Sequence, residues 1–135
     1  MAKATECTQN IMSERLCSEY IDKIDKKSKN SDKNACILYT GRTKSTGYGM
    51  IDFKHPEKKR FIPMHVHRLR YMIECKSLKL EPTEYHVSHL CHNRICVNIE
   101  HLSFEPPHVN NSRQNCFSEK RCTKDHFPHP DCILI

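Results

Sequence analysis

At 135 residues, with 37% hydrophobic residues, 28% charged residues and no tryptophan, the chain suits one domain with a modest core, and nothing in its composition argues for two independent cores. Lys and Arg number 22 against 16 Asp and Glu, a formal charge of +6, which suits a phosphate backbone but is common among soluble proteins. No apolar run reaches the length of a membrane span and the N-terminal MAKATECTQN holds no apolar signal core. A soluble intracellular protein of the nucleus or cytoplasm is expected, and in a reducing compartment its nine cysteines are free to bind metal. A small core of this kind needs outside reinforcement, which bound metal supplies.

From Ile11 to Lys26 the apolar Ile11, Leu16, Cys17, Tyr20, Ile21 and Ile24 recur at helical spacing, with Ser13 placed to cap an amphipathic helix. The lysine-rich DKKSKNSDKN that follows lacks apolar period and reads as a surface loop. Residues 1–34 are thus an N-terminal helix and basic loop, leading into a core over 35–135, a single domain overall. Ala35–Thr40, Gly47–Phe53 and Arg60–Val66 are three β-prone runs separated by turn residues, and they predict a small antiparallel meander. Lys54, Lys58, Lys59 and Arg60 decorate it; they suit nucleic-acid binding and equally suit charged protection of exposed strands. His67–Lys76 places Leu69, Met72 and Ile73 on one helical face, with Arg68 elsewhere on its circumference as a further nucleic-acid candidate. Tyr85–Ser88 and Leu102–Glu105 read as short strands around a His/Cys loop, and Pro106-Pro107 opens a helix across His108–Asn115.

Five of the nine cysteines fall between Tyr85 and Cys132, interleaved with seven histidines, a mixture that favours zinc over disulfides. Cys91, Cys96 and His101 can close on one ion, and Cys36 on the first predicted strand is the best fourth ligand, because a thiolate there ties sheet to loop. Cys116, Cys122 and Cys132 form a second cluster. His126 is preferred as its fourth ligand, and His129, held between two prolines, stays open as the alternative. Both sites are closed Cys3His sets, so their two zinc ions are structural.

His89 and Asn110 remain for chemistry. A neutral imidazole is available near neutral pH to take a proton from water, with an ordinary pKa of about 6.5. An Asn side-chain oxygen is a hard neutral ligand suited to one Mg2+, and Arg113, three residues on, shares its helical face and suits a phosphate contact. The isolated residues equally permit a structural His89 and a solvated Asn110.

SHLCHNRICVNIEHL, then EPPHVNNSRQNC and CTKDHFPHPDC, resembles the zinc-binding segment of the His-Cys box homing endonucleases, a branch of the ββα-metal (HNH-like) nucleases. The resemblance covers the second half closely and runs upstream more loosely through Cys36, the GYG strand and VHRLRYM. It implies an α+β fold in which the small antiparallel meander joins a ββα-metal nuclease motif stabilised by two structural zinc sites. It implies a Mg2+-dependent endonuclease cutting phosphodiester bonds of DNA, with His89 as general base and Asn110 as the single Mg2+ ligand. Cys91, Cys96, His101 and Cys36 match the first zinc site of that family, and Cys116, Cys122 and Cys132 the second. Arg113 matches a basic position near the catalytic helix. The strand arginine that touches the scissile phosphate has no clear match, leaving Lys58, Lys59 and Arg60 as candidates. The chain ends at Cys132-Ile-Leu-Ile without the long arm that a dimeric member exchanges, so monomer and homodimer are both expected possibilities. The rival expectation is a zinc-dependent nucleic-acid-binding module that does not cut.

Overall fold

The computed structural model describes residues 11–31 and 35–133. The N-terminal stretch read above for a signal core, residues 32–34 of the lysine-rich segment and the last two residues lie outside these. The first helix, α1 (Glu14–Lys26), starts three residues later than the periodicity suggests, because Ser13 takes the cap and its Oγ accepts from the Leu16 N–H at 3.2 Å. Its apolar face carries Tyr20 and Ile24 into the core. Tyr20 meets Phe53 edge-on at 5.0 Å between ring centroids, and its hydroxyl accepts from the Lys54 N–H at 2.8 Å.

The expected three-stranded meander is instead two separate pairs. β1 (Ser28–Asn30) pairs antiparallel with β2 (Ile37–Tyr39), while β3 (Met50–His55) and β4 (Arg60–His65) form their own hairpin. β1 lies within the stretch read as loop: polar side chains hide a strand ordered mainly by backbone pairing, with the Ser28 hydroxyl donating to the Ile24 carbonyl at 2.6 Å. The remaining edge of β2 is taken by the zinc loop, since Tyr39 N–H donates to the Ile95 carbonyl at 2.9 Å and Val97 N–H to the Ile37 carbonyl at 2.7 Å. With both edges occupied, β2 has no free ladder for β3.

Pro63 sits in β4, tolerable because a two-stranded hairpin has a free edge. The chain turns at once into α2 (Val66–Cys75), which buries Val66, His67, Leu69, Met72 and Ile73 and ends on Lys76 in a left-handed conformation. β5 (His86–His89) and β6 (Leu102–Glu105) pair antiparallel, Ser88 opposite Ser103 and His89 opposite Leu102. The loop between them carries the first zinc ligands and a short 3-10 turn, Ile99–His101. α3 (Pro107–Glu119) follows, longer than the expected His108–Asn115 because its last turns carry the buried Cys116. The molecule is a small α+β fold of three two-stranded antiparallel sheets and three α-helices among the described residues, with β5, β6 and α3 in ββα order. No described helix is long and apolar enough to cross a membrane.

Candidate active site between two metal tetrads

Cys36, Cys91, Cys96 and His101 bring one ligand atom each to within 4.8 Å of the others, and Cys116, Cys122, His126 and Cys132 do the same. In the first set His101 Nδ1 lies 3.6 Å from both Cys36 Sγ and Cys96 Sγ. In the second, His126 Nε2 lies 3.4 Å from both Cys116 Sγ and Cys132 Sγ. Zn–S bonds of ~2.3 Å and Zn–N bonds of ~2.0–2.1 Å at tetrahedral angles require an S···N edge of about 3.6 Å, so both sets fit zinc. His126 is buried within the second set, and His129 is outside it. These two Cys3His sites support two structural zinc ions, in a chain whose apolar core is small. The tail ties the sites together, as Ile133 N–H donates to the Leu90 carbonyl at 2.8 Å.

Between the tetrads lies a cleft of about 740 Å³ whose walls include Tyr48, His65, His67, Arg68, Arg94 and, along β5 and α3, His86, Ser88, His89 and Asn110. His89 ends β5 and is 9% exposed; its Nε2 donates to the Cys96 carbonyl at 3.1 Å. A carbonyl only accepts, so the ring proton sits on Nε2 and Nδ1 keeps its lone pair. Burial first, and then the charges of His65, His92 and Arg94, lower the His89 pKa to about 4, against the opposing Cys96 hydrogen bond. Neutral imidazole is therefore its state at physiological pH.

Strand alternation places His86 and Ser88 on one face of β5, opposite Asn110 in the second turn of α3. Ser88 Oγ donates to Asn110 Oδ1 at 2.7 Å, and Asn110 Nδ2 lies 3.1 Å from His86 Nδ1. The amide is thus gripped at both ends.

Arg113 also lines the cleft, where protein partners take up its guanidinium. It is 1% exposed and makes a two-pronged ion pair with Glu105, Nε to Oε2 at 2.6 Å and Nη2 to Oε1 at 2.7 Å. It also donates to the Pro130 carbonyl and to Cys132 Sγ. Burial pushes the Glu105 carboxyl up, but the two hydrogen bonds from Arg113, with the Ser88 and Ser103 hydroxyls close by, outweigh it and hold the group below its ordinary value. Asn110 and Arg113 share the cleft face of α3, as the helical spacing predicts, with Arg113 at its buried inner end, where Glu105 needs a cation.

The hairpin lysines lie elsewhere too. The cleft end of the hairpin is Met50 opposite His65, and His55 opposite Arg60 lies at its far end, roughly 17 Å away at ~3.4 Å per residue. Lys58, Lys59 and Arg60 are at that tip and Lys54 is one residue short of it, so none is in reach of the cleft. Arg68 is at the cleft wall, half-buried, its Nη1 donating to the Tyr85 carbonyl at 3.4 Å.

Several wall residues were not singled out in the sequence. Arg94, in the zinc loop, holds its guanidinium 5.4 Å from the Tyr48 ring centre and donates to the Thr46 carbonyl at 2.5 Å. Tyr48 stacks on His65 at 4.9 Å and on His67 at 5.7 Å, and His67 reaches the His89 ring at 4.1 Å. The GYG triplet positions Tyr48: Gly47 has φ +93, and a Cβ on Gly49 would come within 2.7 Å of Val66 Cγ1. GYG and the alternating HVH at the strand-to-helix junction were the available signals, and each needs a partner element to acquire meaning.

No curated protein and no solved structure matches the chain. A family model described as the zinc-binding loop region of homing endonuclease matches residues 24–133, a span that contains both tetrads and the cleft between them, and the chain belongs to that family.

Proposed function

We propose that the protein is a Mg2+-dependent endonuclease that hydrolyses phosphodiester bonds of DNA, with His89 as general base and Asn110 as the protein ligand of a single Mg2+. The observation that carries this reading is the presence of a neutral, Nδ1-open His89 and a gripped Asn110 in one cleft between two metal tetrads. Family membership supports a nuclease and a nucleic-acid partner.

Asn110 fits a hard divalent cation. Oδ1 has two lone pairs, Ser88 occupies one, and Mg2+ needs only one or two protein oxygens because it keeps several waters. When bound, Mg2+ neutralises charge on the phosphate and on the departing 3' oxygen. The chain's own residues do the rest. His89 Nδ1 takes the proton of a water held in the cleft, while the Cys96 carbonyl keeps the ring in that tautomer. Arg68 and Arg94 on the walls are the cations for the phosphate, and the hairpin residues Lys54, Lys58, Lys59 and Arg60 contact nucleic acid flanking the cut. Arg113 braces α3 against β6 through Glu105.

The test incubates plasmid and single-stranded DNA with zinc-loaded protein, in Mg2+ or in EDTA, beside His89→Ala. Mg2+-dependent cutting that falls at least ~100-fold in His89→Ala is expected. If a folded, zinc-replete wild type leaves both substrates intact, the protein is a binding module and the nuclease reading fails. Undiminished cutting by folded His89→Ala would remove His89 from the mechanism.

A further inference from the structure

Resting on the nuclease reading above, we propose that His86 is a positioning residue: its Nδ1 sets the flip of the Asn110 amide and thereby decides which atom, Oδ1 or the NH2 group, faces Ser88 and is available as metal ligand beside it. Asn110 meets two partners from β5, Ser88 Oγ at 2.7 Å from Oδ1 and His86 Nδ1 at 3.1 Å from Nδ2. Ser88 alone is an ambiguous partner, because a hydroxyl either donates to an amide oxygen or accepts from an amide NH2. It also has a competing acceptor nearby: the Glu105 carboxylate, two residues along β6 from the Ser103 that faces Ser88. A Ser88 that donates to Glu105 can only accept from Asn110, which would turn the NH2 group towards it.

His86 breaks this tie. An amide NH2 can only donate, so at 3.1 Å the facing Nδ1 must be the unprotonated nitrogen of the ring. That lone pair has no use for an amide oxygen, and the flip with Oδ1 towards Ser88 is the one that satisfies all three groups. Ser88 is 2% exposed whereas His86 is exposed, so Oδ1 is held at the inner end of the pair, on the strand that leads directly to His89. The reversed amide would present two N–H donors there, a repulsive face for a cation. His86 touches neither water nor phosphate in this account; it acts through Asn110.

Nuclear magnetic resonance on zinc-loaded protein labelled with 15N-asparagine and 15N-histidine, at mildly alkaline pH, reads the flip without any cleavage. The expected result is a His86 ring protonated on Nε2 and bare on Nδ1, with an Asn110 NH2 proton shifted by the imidazole. His86→Phe keeps a ring but removes the acceptor and should move the Asn110 amide signals. His86→Asn, whose Oδ1 stands in for Nδ1, should restore them. In the cleavage assay the Mg2+ concentration for half-maximal rate should rise about fivefold in His86→Phe, the weight of one ordinary hydrogen bond, with the rate at saturating Mg2+ little changed, and His86→Asn should recover it. A wild-type His86 protonated on Nδ1, or Asn110 signals indifferent to His86→Phe, overturns the proposal. Amide signals that respond as expected in a protein that cuts nothing uphold the positioning role and sink the nuclease reading instead.

Discussion

His89 is tied to the backbone of a zinc ligand: its Nε2 donates to the carbonyl oxygen of Cys96 at 3.1 Å, while the Cys96 thiol faces the first tetrad. The tautomer of the base and the closure of the metal loop are therefore one structural event. Zinc removal by a strong chelator should abolish native circular dichroism and cleavage together, and zinc should restore both, while removal of Mg2+ alone should stop cleavage and leave the spectrum unchanged. Folding that survives the loss of both zinc ions would contradict this.

The lowered pKa of His89 has a defined sign. Between its unfolded value near 6.5 and its folded value of about 4, the unfolded chain binds the proton and the folded one does not. Its contribution to stability is complete above about pH 6.5 and is lost as pH falls towards 4, by roughly 3 kcal/mol at most. The base also stays neutral through the upper part of this window, so kcat/KM for cleavage should remain level through pH 6.5 in protein of verified zinc content. A half-loss of activity centred at the ordinary histidine value would show that His89 is not buried as described.

The second tetrad distinguishes two histidines three residues apart. His126 Nε2 stands 3.4 Å from two thiol sulfurs, whereas His129 contributes a backbone N–H to the His126 carbonyl. Elemental analysis should find two zinc ions per chain in wild type and in His129→Ala, and one in His126→Ala.

Arg113→Ala leaves the Glu105 carboxylate buried without a cation, a loss of about 3–5 kcal/mol. Thermal unfolding should show a large fall in Tm, and Arg113→Met combined with Glu105→Leu should regain much of it. A normally stable Arg113→Ala protein with weakened cleavage would return Arg113 to the phosphate.

Charge on the cleft wall and charge on the hairpin tip should separate in DNA assays. Lys58→Ala should weaken binding across sequences and reduce the salt slope by about one, with the cleavage rate at saturating DNA unchanged. Arg94→Ala, from the wall, should lower that saturated rate as well, at least ~10-fold, if its guanidinium meets the reacting phosphate. Equal effects from the two substitutions would argue against the distance between tip and cleft.

Local features of the chain were enough for the parts that depend on local chemistry. Ser13 as a cap, β6 across Leu102–Glu105, the proline-opened α3 and six of the tetrad residues follow from spacing and side-chain type. Spacing makes Cys36 only the best candidate and His126 the preferred one over His129, and folding brings both into their sets. Cysteine and histidine at such density have few other uses, and a helix cap is decided within four residues. Partnership across distance followed no such rule. β1 was hidden because its side chains are polar and its order comes chiefly from the ladder to β2. The meander dissolved because Ile95 and Val97 of the zinc loop claimed the edge of β2 that β3 would have needed.

Arg113 shows the same limit at the site itself. A helical period says that Asn110 and Arg113 share a face, but only the packed position of Glu105 says that this face is turned inward at Arg113. Tyr48, Arg94 and His86 were unremarkable letters until folding set one against His65, one over Tyr48 and one against Asn110. The sequence by itself determined which residues can bind zinc, carry a proton or hold a hard cation, since those capacities belong to the side chains. Tertiary structure alone decided which of them meet, because hydrogen-bond partners, burial and pKa depend on neighbours that are far away along the chain.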